Sequence, residues 1–141
     1  LVMDSYVELY KGGIVPLADF VNMPYDRDIL VSVIVKKTAA HYSYKSVRIS
    51  KTDFPVLTCA AALTQDGVQA AVGARPAKAA LVKDAEQLAT LPMTAEKAQA
   101  FAEYAAGLLP TETNPRGSAA YRTHLIKVLT ARCLTELGGK A

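Results

Sequence analysis

Lys45 combines reactive chemistry with a setting in which it could meet a ligand, because it ends an alternating run just before a loop. A lysine amine is a compact positive charge with three hydrogen-bond donors, suited to a cofactor carbonyl or phosphate. The loop that follows, residues 46–55, contains Arg48 and Asp53 among other polar side chains, and such loops often carry recognition. From the residues alone, a surface lysine and a solvated connection are the favoured interpretation.

Nucleophilic chemistry is a second option. His41 or His124 could in principle form a nucleophile–base pair with Cys59 or Cys133. No local signature supports such a pair, and both cysteines lie in apolar patterns. We interpret them as small buried residues of a reducing, cytoplasmic protein. Histidines and carboxylates at metal-ligand spacing are absent from the sequence, so we predict no metal site and no catalytic residue.

Composition excludes several other classes. The net charge of +3 is spread along 141 residues, without the basic patch that nucleic-acid binding needs, so we predict no nucleic-acid partner. No apolar run reaches the roughly 18 residues of a membrane span, and we predict no membrane partner. The sequence has neither a dinucleotide-binding nor a phosphate-binding glycine motif, so a complete nucleotide site is not evident.

Strand patterns dominate the first half of the chain. Residues 4–10 and 40–47 alternate, and residues 29–35 are nearly all apolar and β-branched, which predicts a buried strand. Residues 56–64 and 68–74 flank Asp66-Gly67. A dipeptide of this type between two apolar runs is a strong hairpin signal.

Helical patterns follow in the second half, at residues 77–91, 95–109 and 119–137. Thr94 and Ser118 are the expected N-caps of the last two helices. On the final helix, Tyr121 is predicted to share one face with Leu125, Val128 and Leu129, whereas Arg122 points sideways or to solvent. Segregated strands and helices indicate an α+β fold, namely an antiparallel sheet of three to four strands followed by three helices packed on one face.

Four stretches, in this order and spacing, resemble the C-terminal part of the FAD-binding (medium) subunit of molybdenum hydroxylases, the xanthine dehydrogenase and carbon monoxide dehydrogenase flavoprotein family. They are VPLADFVNMPYDRDILVSVIV (15–35), YSYKSVRISKTDFPVLTCAAAL (42–63), VGARPAKA (72–79) and RGSAAYRTHLIKVLTARCL (116–134). The resemblance implies an antiparallel sheet under three helices. It also implies a role in an oxidoreductase complex, in which this fragment alone is inactive.

The resemblance further implies FAD as cofactor, held mainly by an upstream domain, with a few contacts from this stretch. Leu30 would pack against FAD, Lys45 would contact it, and the loop with Arg48 and Asp53 would lie beside the isoalloxazine. The implied partners are the molybdopterin-binding subunit, the iron–sulfur subunit and the upstream FAD-binding domain. Electrons would pass from iron–sulfur centres through the flavin to an acceptor.

Under this interpretation, residues 1–37 are a remnant of the upstream FAD-binding domain, and residues 38–141 form the flavoprotein C-terminal domain. Because the chain opens directly on a strand pattern, we expect further sequence before Leu1. The alternative is a stand-alone interaction or assembly module of the same fold that binds no cofactor.

Overall fold

Two compact units make up the chain in the computed structural model, which describes residues 1–139. The first comprises Leu1 and residues 3–39, and the second comprises Val2 and the residues from Ala40 onward. The described residues form one antiparallel sheet of three strands, one of four, and three helices. The predicted α+β class is therefore confirmed.

The first unit is a three-stranded sheet with β1 (Ser5–Leu9) at its centre. β1 pairs with β2 (Gly13–Pro16) on one side and with β3 (Leu30–Val35) on the other. A single-turn helix, α1 (Leu17–Phe20), follows β2. The turn between β1 and β2 uses Gly13 at φ +68°, a conformation that glycine adopts without a steric penalty.

The apolar residues of β3 are not buried, and the sequence prediction was wrong here. Leu30, Val31, Val33 and Val35 are each between 46% and 59% exposed. A continuous apolar run is typical of a strand covered on both faces. Within residues 1–139, however, β3 pairs only with β1 and forms an edge of the sheet.

The second unit contains a four-stranded meander in the order of the chain. Its strands are β4 (His41–Val47), β5 (Leu57–Thr64), β6 (Gly67–Gly73) and β7 (Ala80–Lys83). The predicted hairpin joins β5 and β6, and Gly67 has φ +110°. The positive φ explains why glycine follows Asp66 in this turn.

Two long helices, α2 (Ala95–Leu108) and α3 (Ala119–Gly138), follow the sheet in the second unit. α3 packs on β4 and β5, and α2 packs mainly against α3. Both predicted N-caps are confirmed: the Thr94 hydroxyl accepts from the Lys97 amide at 3.3 Å, and the Ser118 hydroxyl accepts from the Tyr121 amide at 3.2 Å. Among the described residues, no helix has the length and hydropathy required to span a membrane.

The core of the second unit lies between one face of the sheet and the two helices. Because strand residues alternate between faces, every second residue of β5 and β6 contributes to this face. The buried residues include Cys59, Ala61, Ala70 and Val72 from the sheet and Phe101, Ala105, Ile126, Leu129 and Leu134 from the helices.

The helix predicted over residues 77–91 is wrong. Residues 80–83 instead form β7, which pairs with β6, and an irregular segment follows. There the Asp84 carboxylate accepts from the Leu88 and Ala89 amides at 2.9 and 2.7 Å, and Gln87 has φ +55°. Ala/Leu-rich composition favours a helix only weakly, and pairing with the edge of β6 overrides it.

Candidate functional site

Lys45 extends from β4 towards the last turn of α3, where it meets an acid. Its Nζ lies 2.7 Å from the Glu136 Oε2, and the Ser43 hydroxyl donates to the same oxygen at 3.0 Å. Ser43 and Lys45 are two residues apart on one strand, so both side chains project from the same face of the sheet. The three residues form a cluster between β4 and α3, which we call the Lys45 cluster.

The Lys45 cluster borders an open groove of about 550 Å³, also lined by Gln99 of α2 and by Arg132 and Thr135 of α3. The side chain of Lys45 is 32% exposed and that of Glu136 is 39% exposed. The hydrogen bond that Lys45 donates to Glu136 raises the pKa of Lys45, against smaller opposing effects of burial and of the Arg132 charge. Lys45 therefore remains a cation at neutral pH and can be reached from the groove.

Sequence reasoning missed Glu136, and its position gives a signal that could have identified it. It lies in the last turn of α3, where the helix dipole disfavours a negative charge. An acid there needs a partner from elsewhere in the fold. The partner itself could not be predicted, because Lys45 lies 91 residues earlier in the chain.

Arg48 and Asp53 come together in the loop after β4, as two of the four predicted cofactor-binding residues. Arg48 donates through Nε to the Asp53 carbonyl at 3.1 Å and through Nη1 to the Ser46 hydroxyl at 2.7 Å. The Asp53 carboxylate also lies 3.5 Å from Arg116, whose guanidinium stacks over the exposed Phe54 ring. These contacts order the loop without involving the Lys45 amine.

Leu30, the fourth predicted cofactor-binding residue, belongs to the first unit. It lies at the start of the edge strand β3 and is 48% exposed. An exposed leucine on an edge strand is available to a further layer of structure or to a ligand.

The cysteines are confirmed as buried. Cys59 on β5 and Cys133 on α3 are fully buried, and the Cys59 thiol lies 3.4 Å from the Thr130 hydroxyl. Contact with Cys133 and burial both raise the pKa of Cys59. His41 and His124 are exposed, so the structure does not assemble the nucleophile–base pair. Residues 1–139 also contain no cluster of metal-ligating side chains.

The prediction for Arg122 was wrong. The residue is only 1% exposed and is not directed to solvent. Its guanidinium donates to the carbonyls of Val56, Glu112 and Gly117 at 3.0, 2.6 and 2.5 Å and to the Asn114 Oδ1 at 2.5 Å. These bonds link the residue before β5 and the loop before α3 to the helix. Tyr121, predicted to share a face with Leu125 and Leu129, is 45% exposed, whereas those two leucines are buried.

The family model for the CO dehydrogenase flavoprotein C-terminal domain matches residues 42–137. Among solved structures, quinoline 2-oxidoreductase from Pseudomonas putida 86 aligns with a TM-score of 0.80 at 21% identity. Carbon monoxide dehydrogenase from Hydrogenophaga pseudoflava aligns with a TM-score of 0.82, and the reconstituted enzyme from Oligotropha carboxidovorans with 0.73, both at 18% identity.

These alignments cover 99% of this chain and 54% to 55% of the matched chains. The chain thus spans about half the length of the solved proteins that it resembles. At such low identity the structural likeness shows the fold alone. No curated protein matches the chain in sequence.

Proposed function

Because the chain belongs to the CO dehydrogenase flavoprotein C-terminal domain family, we propose that it is the C-terminal portion of an FAD-binding electron-transfer subunit. The parent enzyme would be a molybdopterin-dependent hydroxylase or dehydrogenase, as in the xanthine dehydrogenase group. The family match over residues 42–137 carries this proposal. The fold is also that of a chain of carbon monoxide dehydrogenase from Hydrogenophaga pseudoflava, an enzyme with a molybdenum cofactor.

The division of the chain supports a more detailed proposal. Residues 1–37 would belong to an upstream FAD-binding domain and residues 38–141 to the C-terminal domain. The exposed apolar residues of β3, among them Leu30, are consistent with a sheet that continues into a further part of a longer polypeptide. The partners would be the molybdopterin-binding and iron–sulfur subunits.

The residues present suit one edge of a flavin but not a whole FAD site. Lys45 offers a cation at an open groove, and Arg48 and Asp53 offer polar groups on an ordered loop. The sequence contains no glycine motif for the pyrophosphate. The chain would therefore supply contacts to a cofactor that is anchored mainly by other residues.

Each candidate residue has a separate role in this proposal. When bound, FAD would carry the two-electron chemistry, and the protein would bind and tune it. Lys45 would stabilise negative charge on the reduced ring, because a cation nearby lowers the energy of that charge. The loop with Arg48 and Asp53 would cover the ring edge and limit the access of water, and Leu30 would pack against the cofactor.

Flavin content tests the proposed function. The full-length polypeptide that includes this chain should retain FAD after gel filtration, whereas residues 1–141 alone should not. A full-length protein without flavin would contradict the function and favour the cofactor-free assembly module. A stable yellow colour on residues 1–141 alone would contradict the division of the site.

Lys45→Ala in the full-length subunit should lower FAD retention or shift its midpoint potential. Lys127→Ala is a matched control, because Lys127 also forms an exposed ion pair, with Glu103, on the helical face of the domain. Unchanged flavin content and potential in the Lys45 variant would remove Lys45 from the site.

A further inference from the structure

We propose that Glu136 is the positioning residue for Lys45, setting both the location of its amine and the charge that it presents to a bound flavin. This inference rests on the proposed function. It adds a residue outside the loop and strand positions predicted from the sequence.

Geometry supports a positioning role. A lysine side chain has four rotatable carbon bonds and about 2 kcal/mol of rotamer entropy, so its amine is mobile unless it is held. Here the amine is held at 2.7 Å by Glu136, and the buried Ser43 hydroxyl orients the same carboxylate oxygen at 3.0 Å. Ser43 is only 5% exposed, so this hydroxyl is itself fixed by its surroundings.

The helix that carries Glu136 is anchored firmly to the core. Cys133, Leu134 and Leu137, the residues around Glu136 on α3, are all at most 1% exposed. The backbone at Glu136 is therefore fixed, and Ser43 in turn holds its partly exposed carboxylate. The Lys45 amine is thus held at a carboxylate that has a defined position.

Charge supplies the second part of the argument. A carboxylate 2.7 Å from an ammonium cancels most of its field at larger distances, because the two unit charges are opposite and nearly coincident. With Glu136 present, Lys45 would act on a flavin as one end of a dipole. Without the carboxylate it would act as a bare cation, and reduction of the flavin would become more favourable.

The test is a double-mutant cycle on the midpoint potential of FAD in the full-length subunit. Glu136→Gln should raise the potential and Lys45→Met should lower it. Glu136→Gln should raise the potential less in the Lys45→Met background, because only with Lys45 present does it also release a bare cation. Glu103→Gln is the matched control, because it removes a carboxylate from the Lys127 pair without touching Lys45. It should leave the potential unchanged.

The possible failures are distinguishable. If Lys45→Met shifts the potential but Glu136→Gln does not, the positioning role is overturned while the proposed function stands. If Glu136→Gln shifts it equally with and without Lys45, the acid acts on the flavin directly and the inference is also wrong. If FAD binds and neither variant shifts the potential, the role of Lys45 fails, and the role of Glu136 fails with it.

Discussion

Two cations lie at opposite ends of α3, and they differ in burial and in hydrogen-bond partners. Arg122, near the start of the helix, is 1% exposed and donates to three carbonyls and one amide oxygen. Lys45 meets the last turn of the helix, pairs with a carboxylate and remains 32% exposed beside a groove. The enclosed cation has its donors committed to the fold, whereas the open one can still meet a ligand.

The strongest test of this contrast is Arg122→Met. The substitution removes the donor of the buried Val56 carbonyl and of the partly buried Glu112 carbonyl, and each such group costs about 1–3 kcal/mol. We expect the free energy of unfolding to fall by about 3–5 kcal/mol in urea titrations. Arg132→Met, at an exposed position of the same helix, should change it by less than about 0.5 kcal/mol. Equal effects of the two variants would contradict the structural role of Arg122.

Asn114→Ala tests the same structural role of Arg122, with a smaller expected loss of stability. The Asn114 Oδ1 accepts from Arg122 at 2.5 Å and from the Arg116 amide at 2.9 Å, and alanine removes both bonds. The expected loss of stability is about 1–2 kcal/mol, measured by thermal or urea unfolding. In the Arg122→Met background the loss should shrink, because one of the two donors is already gone. Full additivity would show that the two residues do not act together.

Lys45→Met should have little effect on the fold. An ion pair with both partners partly exposed contributes about 0–1 kcal/mol, so the free energy of unfolding should fall by no more than that. A loss as large as that expected for Arg122→Met would place Lys45 among the structural residues.

The smallest expected effect concerns the control pair, Glu103 with Lys127. The hydrogen bond from Lys127 lowers the pKa of the Glu103 carboxyl. The stability from this pair is therefore present above the unfolded pKa and is lost as pH falls through the folded pKa. In Lys127→Met, an NMR titration should show the Glu103 pKa moving upward towards its ordinary value. An unchanged pKa would show that the pair does not form in solution.

Local signals made part of the fold predictable. The Thr94 and Ser118 caps and the Asp66-Gly67 turn depend on neighbours within a few residues, and the structure confirms them. The segment 77–91 was mispredicted because its final state depends on pairing with β6, which composition does not encode. The exposure of β3 was mispredicted for the same reason, because it depends on which strands lie beside it and not on its apolar sequence.

For the candidate site, residue type and a family resemblance selected Lys45, Arg48 and Asp53. The contact that defines the chemistry of Lys45 comes from Glu136, which no short motif connects to it. The burial of Arg122 was not predicted for a related reason. Helical spacing does not show that backbone carbonyls from other segments will accept hydrogen bonds from its guanidinium. The position of Leu30 relative to a cofactor remains a prediction.

The central claim is that this domain contributes Lys45 to a flavin held mainly by another part of the subunit. The most direct measurement is the distance from the Lys45 Nζ to the isoalloxazine ring in an experimental structure of the FAD-loaded full-length subunit. We predict that the amine lies within hydrogen-bond or close electrostatic range of the ring, with Glu136 still paired to it. A flavin bound far from Lys45, or contacted by no residue of this domain, would contradict the claim.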